Sequence, residues 1–240
     1  MRFDVITLFP EMIESAMNHS VIKRAMENDL LEIHATQLRD YAYDKHKIVD
    51  DTPFGGGAGM LMKPEPFFRA VEDIVQKTNL SNRRVILMAP SGTTFDQAKC
   101  IELAKYDQLI FLCGHYEGVD ARVQEYLADE VLSIGDYVLT GGELPAMVIM
   151  DSVARNIAGV LGSADSAPQD SFYAGLLEYP QYTRPRTYEG HDVPDVLLSG
   201  NHAEIEKWRR KQSLLITREK RPDLIDKIEL TKQDKKLLGE

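Results

Sequence analysis

The sequence predicts an α/β fold in which helices cover both faces of a parallel sheet, followed by a small helical C-terminal domain. Short apolar runs typical of buried strands recur along the first two thirds of the chain, and segments of helical periodicity lie between them. Strands and helices that alternate at this spacing are typical of parallel sheets. After residue 170 we expect no further strand, because only short helical patterns remain.

The individual elements follow from these patterns. Buried strands are expected at Phe3–Phe9, Val85–Met88, Leu109–Cys113 and Val131–Ile134, with Leu31–Gln37 as a further candidate. Helices are expected at Pro64–Gln76, Phe95–Tyr106, Val119–Leu127 and Leu144–Val160. In the C-terminal part, short helices are expected at Ala203–Trp208, Ser213–Glu219 and Lys232–Leu238.

A change of composition near residue 165 predicts two domains. The segment Gly162–Asp170 is small, polar and contains a proline, which is typical of a flexible linker. We therefore expect a first domain at residues 1–161, a linker at 162–170 and a second domain at 171–240.

Charge and composition restrict the class of protein. The net charge of −10 argues against a nucleic-acid binder when the chain is taken whole. The charge is uneven, however: residues 1–170 hold 15 Lys and Arg against 26 Asp and Glu, whereas residues 171–240 hold 13 against 12. Basic residues then cluster in Lys207–Lys211, which is either a contact surface for an anionic partner or a solvated helix face.

Other features indicate the setting. Cys100 and Cys113 lie in apolar segments and are expected to be buried thiols, because two cysteines make no disulfide framework. The start of the chain lacks the pattern of a signal peptide. No apolar run approaches the roughly 20 residues that span a bilayer. We expect a cytoplasmic protein with no membrane association.

Three loops that follow predicted strands contain glycine. They are Pro90–Gly92, Cys113–Gly118 and Ser133–Glu143. In a parallel sheet such loops gather at one edge, where a bare backbone can contact a ligand closely. The sequence thus predicts one shared pocket; the alternative is tight-turn glycines without a ligand. No G-x-G-x-x-G follows the first strand, so a dinucleotide site has no direct support.

A fourth loop, Thr52–Met60, has four glycines in five positions and could mould around a phosphate or a base. It is not a P-loop, because no G-K-[ST] follows. The preceding segment Arg39–Lys47 mixes basic and aromatic side chains, which suits stacking and phosphate contact. An ordinary exposed loop is the alternative.

The remaining candidate residues carry no clear signal from spacing. Met147, Asp151 and Arg155 share one face of a predicted helix, and a structural Asp151–Arg155 ion pair is the simplest interpretation. Spacing does not single out Asp170. The histidines and cysteines lack metal-ligand spacing, so no metal site is predicted.

Several longer motifs run through the chain, namely FDVITLFPEM (Phe3–Met12), RDYAYDKHKIVDD (Arg39–Asp51), FGGGAGML (Phe54–Leu61), GHYEGVDAR (Gly114–Arg122), SIGDYVLTGGELPAM (Ser133–Met147), DSVARN (Asp151–Asn156), DSF (Asp170–Phe172) and YTRP (Tyr182–Pro185). Taken together, these motifs resemble the bacterial tRNA (guanine-N1)-methyltransferases that act at position 37, in the knotted SPOUT superfamily. The resemblance covers nearly the entire chain.

The resemblance implies a deep trefoil knot that binds S-adenosylmethionine, an obligate homodimer with active sites shared between subunits, and assistance by Mg²⁺. The reaction would give 1-methylguanosine at guanine 37 of tRNA, 3′ of the anticodon, and support reading-frame maintenance. Catalytic roles would fall on Arg155 and Asp170. Cofactor binding would fall on Met88, Ala89, Pro90, Ser91, Gly114, Tyr116, Glu117, Gly118, Ser133, Ile134, Gly135, Asp136, Tyr137, Val138, Leu139, Gly141, Gly142 and Pro145.

The tRNA is expected to contact residues of both domains, namely His46, Asp50, Gly59, Lys207, Arg209 and Arg210. Two positions depart from the family pattern: Ala58 replaces a more frequent proline in the glycine loop, and His115 replaces an arginine that many members carry. Neither coincides with Arg155 or Asp170, so the departures bear on affinity rather than on the activity.

The chemistry requires a base beside guanine N1, whose proton must leave before methylation, and a cation beside O6. Asp170 suits the first role and Arg155 the second. Three other functions are weighed against this one: a non-catalytic RNA-binding protein on the same scaffold, a nucleotide-dependent oxidoreductase, and a related methyltransferase of ribosomal RNA. The cofactor loops argue against the first, the missing glycine fingerprint against the second, and the GGGAGM, DSF and YTRP segments against the third.

Overall fold

The computed structural model describes residues 1–162 and 166–239, and the chain divides into two compact units, residues 1–163 and 164–240. The first unit contains, in chain order, β1 (Arg2–Thr7), α1 (Pro10–Met17), α2 (Ser20–Glu27), β2 (Glu32–Gln37), a 3₁₀ turn (Leu38–Tyr41), β3 (Asp50–Asp51), β4 (Leu61–Met62), α3 (Pro64–Thr78), β5 (Arg83–Thr94), α4 (Gln97–Leu103), β6 (Gln108–Cys113), α5 (Ala121–Tyr126), β7 (Glu130–Ser133) and α6 (Glu143–Ala154).

Five of these strands form one sheet in the order β2-β1-β6-β5-β7, and every neighbouring pair is parallel. The parallel sheet predicted from the apolar runs is therefore confirmed, and β2 is the further strand. Strand β5 is longer than predicted. It continues past Met88 to Thr94, although proline and glycine at positions 90 and 92 suggested a loop.

Helices cover the sheet on both faces, as predicted. Side chains alternate along each strand, so successive residues pack against helices on opposite faces of the sheet. On β6, Leu109 and Phe111 join the core under α1, α2, α4 and α6, whereas Ile110 and Leu112 join the core under α3 and α5. All six residues of β6 are buried, as expected for the central strand of the sheet.

Two helices at the start of the chain were not predicted. In α1, Pro10 occupies the first turn, where its fixed backbone angle suits a helix, and Ile13 and Met17 are buried at i, i+4 spacing. In α2, Ile22 and Ala25 are buried at i, i+3 spacing. Each helix has only eight residues, which gives a short periodic signal.

The predicted helix at Leu144–Val160 is too long, because α6 ends at Ala154. Beyond it, the side-chain amide of Asn156 donates to the carbonyl of Ser152 (2.9 Å), and Gly159 adopts a left-handed backbone with φ of +86°. A residue in this conformation does not continue a helix.

The second unit is mainly helical. Its elements are α7 (Ser166–Gln169), β8 (Thr187–Tyr188), β9 (His191–Asp192), α8 (Asp195–Leu198), α9 (His202–Lys220), α10 (Pro222–Ile225) and α11 (Lys232–Leu238). Residues 163–165 of the expected linker lie outside the described residues, and α7 occupies much of the remainder.

Two expectations for this unit are wrong. Residues 203–208 and 213–219 belong to the single helix α9, because the polar segment between them interrupts the apolar pattern without containing a helix breaker. The antiparallel pair β8–β9 also appears where no strand was expected, and its two-residue strands are too short to give an alternating pattern. Among the described residues, no helix is sufficiently long and apolar to cross a bilayer.

Candidate active site

A cavity of about 410 Å³ lies at the carboxyl ends of β6 and β7 and beside residues 87–91 of β5, on the side where a parallel sheet usually binds its ligands. All the predicted cofactor residues line it except Asp136, which is exposed in the same loop as its neighbours. Six further residues also line it: His115 and Thr140, which lie in the predicted loops, and Leu87, Val119, Gln124 and Leu132, which lie outside them.

The two glycine loops beside β6 and α6 touch through their backbones. The Gly142 N–H donates to the Gly114 carbonyl (3.0 Å), and His115 pairs with Gly141 in an antiparallel bridge. A Cβ on Gly142 would lie 2.7 Å from Cα of Cys113. Glycine at position 142 is therefore needed for close backbone approach at the floor of the cavity.

The third wall comes from a register shift in β5. Met88 and Thr93 both pair with Leu132, so the four residues between them leave the ladder beside the cavity. At Gly92, an added Cβ would lie 2.6 Å from backbone atoms of Val131 and Leu132. The strand can return to its partner at this point only because residue 92 has no side chain.

A buried polar network joins the cavity wall to the start of the chain. The Thr7 hydroxyl donates to the carboxylate of Glu143, and Nε2 of His115 lies 2.8 Å from the other carboxylate oxygen. The His115 and Phe9 rings pack edge to face, with 4.9 Å between ring centroids. Sequence reasoning missed this network, because its members lie far apart in the chain.

The two cysteines do not provide a nucleophile for this site. Burial and the negative charge of Glu143 raise the pKa of Cys113 well above its ordinary value. Burial also raises the pKa of Cys100 to about 11, despite a hydrogen bond from Asn156. Both thiols therefore stay protonated at neutral pH, in agreement with the interpretation as buried hydrophobic residues.

The glycine loop at residues 55–59 leads directly to the cavity. The Glu117 N–H donates to the Met60 carbonyl (3.0 Å), and the Met62 N–H donates to the Gly118 carbonyl (2.9 Å). A Cβ on Gly59 would lie 2.4 Å from a carboxylate oxygen of Glu117, and Gly59 has φ of +80°. Position 59 thus favours glycine for its backbone angle, whereas the exposed Glu117 side chain can move aside.

The predicted catalytic residues occupy other parts of the chain. Arg155 caps the C-terminal end of α6, whereas the cavity is lined by Gly142 and Pro145 at the other end of that helix. Asp170 follows α7 in the second unit, where its N–H donates to the Ala167 carbonyl (3.2 Å). The first unit does not bring Arg155 to its own cavity.

The predicted tRNA-contacting residues of the first unit are dispersed around the loops. His46 lies in an exposed turn, where its N–H donates to Asp44 (2.9 Å). Asp50 lies in β3 and pairs with Met62 of β4, which connects it to the loops described above.

On α9, each of the three predicted basic residues has an acidic neighbour. Lys207 pairs with Glu204 at 3.6 Å on the exposed surface, and Arg209, which is half-buried, pairs with Glu206 at 2.7 Å. Arg210 makes two hydrogen bonds to Asp234, of 2.8 and 2.9 Å, and this pair holds the pKa of Asp234 well below its usual range. Because Asp234 is buried, the Arg210–Asp234 pair fastens α11 to α9.

In the part of the chain that the structure describes, no three or more His, Cys, Asp and Glu side chains are grouped to hold a metal ion. The cavity lining offers backbone and side-chain hydrogen bonds together with apolar surface. Such a lining suits an organic ligand of moderate size, since ligand pockets commonly have volumes of about 300–1,000 Å³.

Comparison with known proteins identifies close relatives. Residues 1–227 match the profile of the family described as tRNA (Guanine-1)-methyltransferase TrmD. The chain is 56% identical over 240 residues to a protein of Desulforamulus reducens, covering 100% of this chain and 94% of the relative. It is 55% identical to proteins of Dehalococcoides mccartyi (100% and 96% covered) and Staphylococcus aureus (99% and 96% covered). All three relatives are named tRNA (guanine-N(1)-)-methyltransferase.

Proposed function

Since the chain belongs to the tRNA (guanine-1)-methyltransferase family and its activity is methylation of a guanine at N1 in tRNA, we propose that S-adenosylmethionine is its methyl donor and guanine 37 its target. The product is 1-methylguanosine on the 3′ side of the anticodon. A tRNA substrate implies that the enzyme works in the cytoplasm.

The observation that carries the donor assignment is the cavity at the strand ends. Residues from three separate loops, each expected to bind the donor, line this one space, and five of the lining residues are glycines. Backbone N–H and C=O groups there can read the edge of an adenine, while the apolar residues cover its faces. When bound, the donor supplies an electrophilic methyl group on a positively charged sulfur.

The chain's own catalytic groups act on the guanine. Asp170 accepts the proton of N1, which frees the lone pair that takes the methyl group. An ordinary aspartate is a weak base for this purpose. Arg155 therefore faces O6, where negative charge accumulates as the proton leaves, and stabilises the deprotonated ring. A positioned acid–base group contributes roughly 10²–10⁴-fold to rate, so we expect Asp170→Asn to lose at least that much.

The position of Arg155 supports a homodimer with shared active sites. Arg155 is ten residues beyond Pro145 along α6, which corresponds to about 15 Å of helix. This span exceeds the reach of its side chain back to its own cavity. Leu144 and Val148 are 45% and 47% exposed at i, i+4 on α6, and a second copy would cover this apolar face.

A trefoil knot is part of the proposal, because the resemblance implies one. Residues 93–94 of β5 lie along β7, and the chain then runs from β7 at the sheet edge to α6, which packs against the central strands β1 and β6. The close contacts at Gly92 and Gly142 are compatible with a chain threaded through a tight loop. Protein chains almost never thread through their own loops, so general rules of chain topology do not predict a knot.

We assign the glycine loop and the second unit to tRNA. Phe54 is fully exposed at the head of the glycine loop and could stack on the flipped guanine, whose unstacking costs a few kcal/mol. Lys207 and Arg209 would contact the anticodon stem. Reversing these two charges should weaken tRNA binding and flatten its salt dependence, since fewer counterions are released. Unchanged tRNA affinity would remove α9 from recognition.

Mg²⁺ assistance is implied by the resemblance alone. Among the described residues no carboxylate cluster is arranged for it, so Mg²⁺ would depend on oxygen atoms of the RNA or the donor. No step of the reaction is assigned to the ion.

Methyl incorporation into tRNA transcripts tests the proposed target. A transcript with guanine at positions 36 and 37 should accept a labelled methyl group from S-adenosylmethionine, and a matched transcript with adenine at position 37 should not. Equal incorporation into both transcripts would show that guanine 37 is not the target.

A further inference from the structure

Glu143 is a carboxylate that the proposed reaction does not use, yet it is only 2% exposed. A buried charge is costly unless it is paired and hydrogen-bonded. One carboxylate oxygen accepts from the Thr7 hydroxyl and the other lies 2.8 Å from Nε2 of His115. The carboxylate also begins α6, where the helix dipole favours negative charge.

The network of Thr7, Glu143 and His115 joins three segments of the chain at the cavity. Thr7 ends β1, Glu143 begins α6, and His115 lies in the loop after β6, where it lines the cavity. A Cβ on Gly141 would lie 2.3 Å from Nε2 of His115 and 2.5 Å from the Glu143 carboxylate. The ring therefore fills the space beside residue 141, and the pair fixes the separation of the two glycine loops.

We propose that Glu143 and His115 are positioning residues of the donor site. Glu143 acts through His115 to hold the Gly114–Gly118 loop against Gly141 and Gly142 in the geometry that binds the methyl donor. The inference rests on the proposed function, because it assumes that the cavity takes S-adenosylmethionine.

A second buried carboxylate provides a matched control. Asp4 is 1% exposed and accepts hydrogen bonds from Arg2 and from the side chain of Gln108 (2.7 Å). It lies toward the opposite end of the same parallel sheet, near the start of β6, whereas the cavity lies at the strand ends. If Glu143 has only a structural role, Glu143→Gln and Asp4→Asn should lower the unfolding temperature alike and leave donor affinity unchanged. If Glu143 positions the donor site, Glu143→Gln should change donor affinity and Asp4→Asn should not.

Isothermal titration with S-adenosylmethionine tests the proposal on the full-length protein. Glu143→Gln should raise the donor Kd about tenfold, as expected when one charge-assisted hydrogen bond is lost, while Asp4→Asn should leave it unchanged. In steady state, Glu143→Gln should raise KM for the donor with a much smaller change in kcat. Wild-type Kd in Glu143→Gln, or equal effects in both variants, would overturn the proposal.

Variants at His115 keep the test decisive if Glu143→Gln does not fold. His115→Ala should raise the donor Kd by a similar factor, and His115→Arg, which keeps a donor to Glu143, should restore much of the affinity. A Glu143→Gln/His115→Ala double variant should be little worse than either single variant, because both changes remove the same contact. Additive effects of the two changes on the donor Kd, or no rescue by His115→Arg, would contradict the proposal. If the wild-type protein binds no donor, the proposed function fails instead.

Discussion

The proposal that two subunits share each active site predicts complementation between two inactive variants. Arg155→Ala removes the cation but keeps the cavity, whereas Gly142→Val fills the close contact at Cys113 and destroys the cavity while keeping Arg155. Within one subunit the two features lie about 15 Å apart along α6, so a subunit should not complete its own site. Each homodimer alone should be nearly inactive, because one lacks Arg155 in both subunits and the other lacks the cavity in both.

Mixed dimers make the expected recovery quantitative. Equal amounts of the two variants, unfolded and refolded together, give about one half heterodimers. In each heterodimer, one site combines the intact cavity of one subunit with Arg155 of the other, and the second site carries both defects. About one quarter of the wild-type number of sites should then be active.

The assay is methyl incorporation into a saturating tRNA transcript, with the same variants mixed without refolding as the control. Recovery near one quarter of wild-type activity supports action of Arg155 in the partner's site. If Arg155 served its own cavity, neither site of a heterodimer would be intact. Activity that stays at the level of the separate homodimers in a verified heterodimer would refute the reasoning.

Three further predictions concern the second unit and the glycine loop. Arg210→Ala should destabilise the second unit by about 1–3 kcal/mol, because it leaves the buried Asp234 without its charged partner; urea unfolding followed by fluorescence of Trp208, the single tryptophan, measures this. The pKa of Asp234 is lowered in the folded protein, so its stabilising effect is present above the unfolded pKa and is lost as pH falls. As the pH is lowered below about 4, the urea concentration at the unfolding midpoint should therefore fall more steeply for the wild type than for Arg210→Ala. Gly59→Ala should lower methyl transfer to tRNA about tenfold or more, because residue 59 has φ of +80°, a backbone angle that strains alanine, and a wild-type rate would exclude a role for this loop conformation.

Much of the first unit could be predicted from local patterns. The central strands are continuous apolar runs, because a parallel strand buried on both faces needs no polar alternation, and β6 shows this most clearly. Helices α1 and α2 were missed because each shows only two buried residues along eight positions. The extension of β5 could not be predicted, since only pairing with β7 makes residues 93–94 part of a strand.

The cavity could be predicted because its loops are contiguous in sequence and follow strands. The residues that were missed are placed by tertiary structure. Gln124 reaches the cavity from α5, and Thr7 meets Glu143 across 136 residues of chain. The Arg210–Asp234 pair could not be predicted either, because the charge pattern of α9 does not reveal that Asp234 of α11 pairs with Arg210.

The most direct test is to identify the nucleoside that the enzyme makes. An unmodified tRNA transcript with guanine at positions 36 and 37 is incubated with the protein and S-adenosylmethionine, digested and mapped by mass spectrometry. We expect 1-methylguanosine at position 37 and no methylation with Asp170→Asn on the same timescale. A methyl group on another atom of guanine, at another position, or formed equally well by Asp170→Asn would contradict the account.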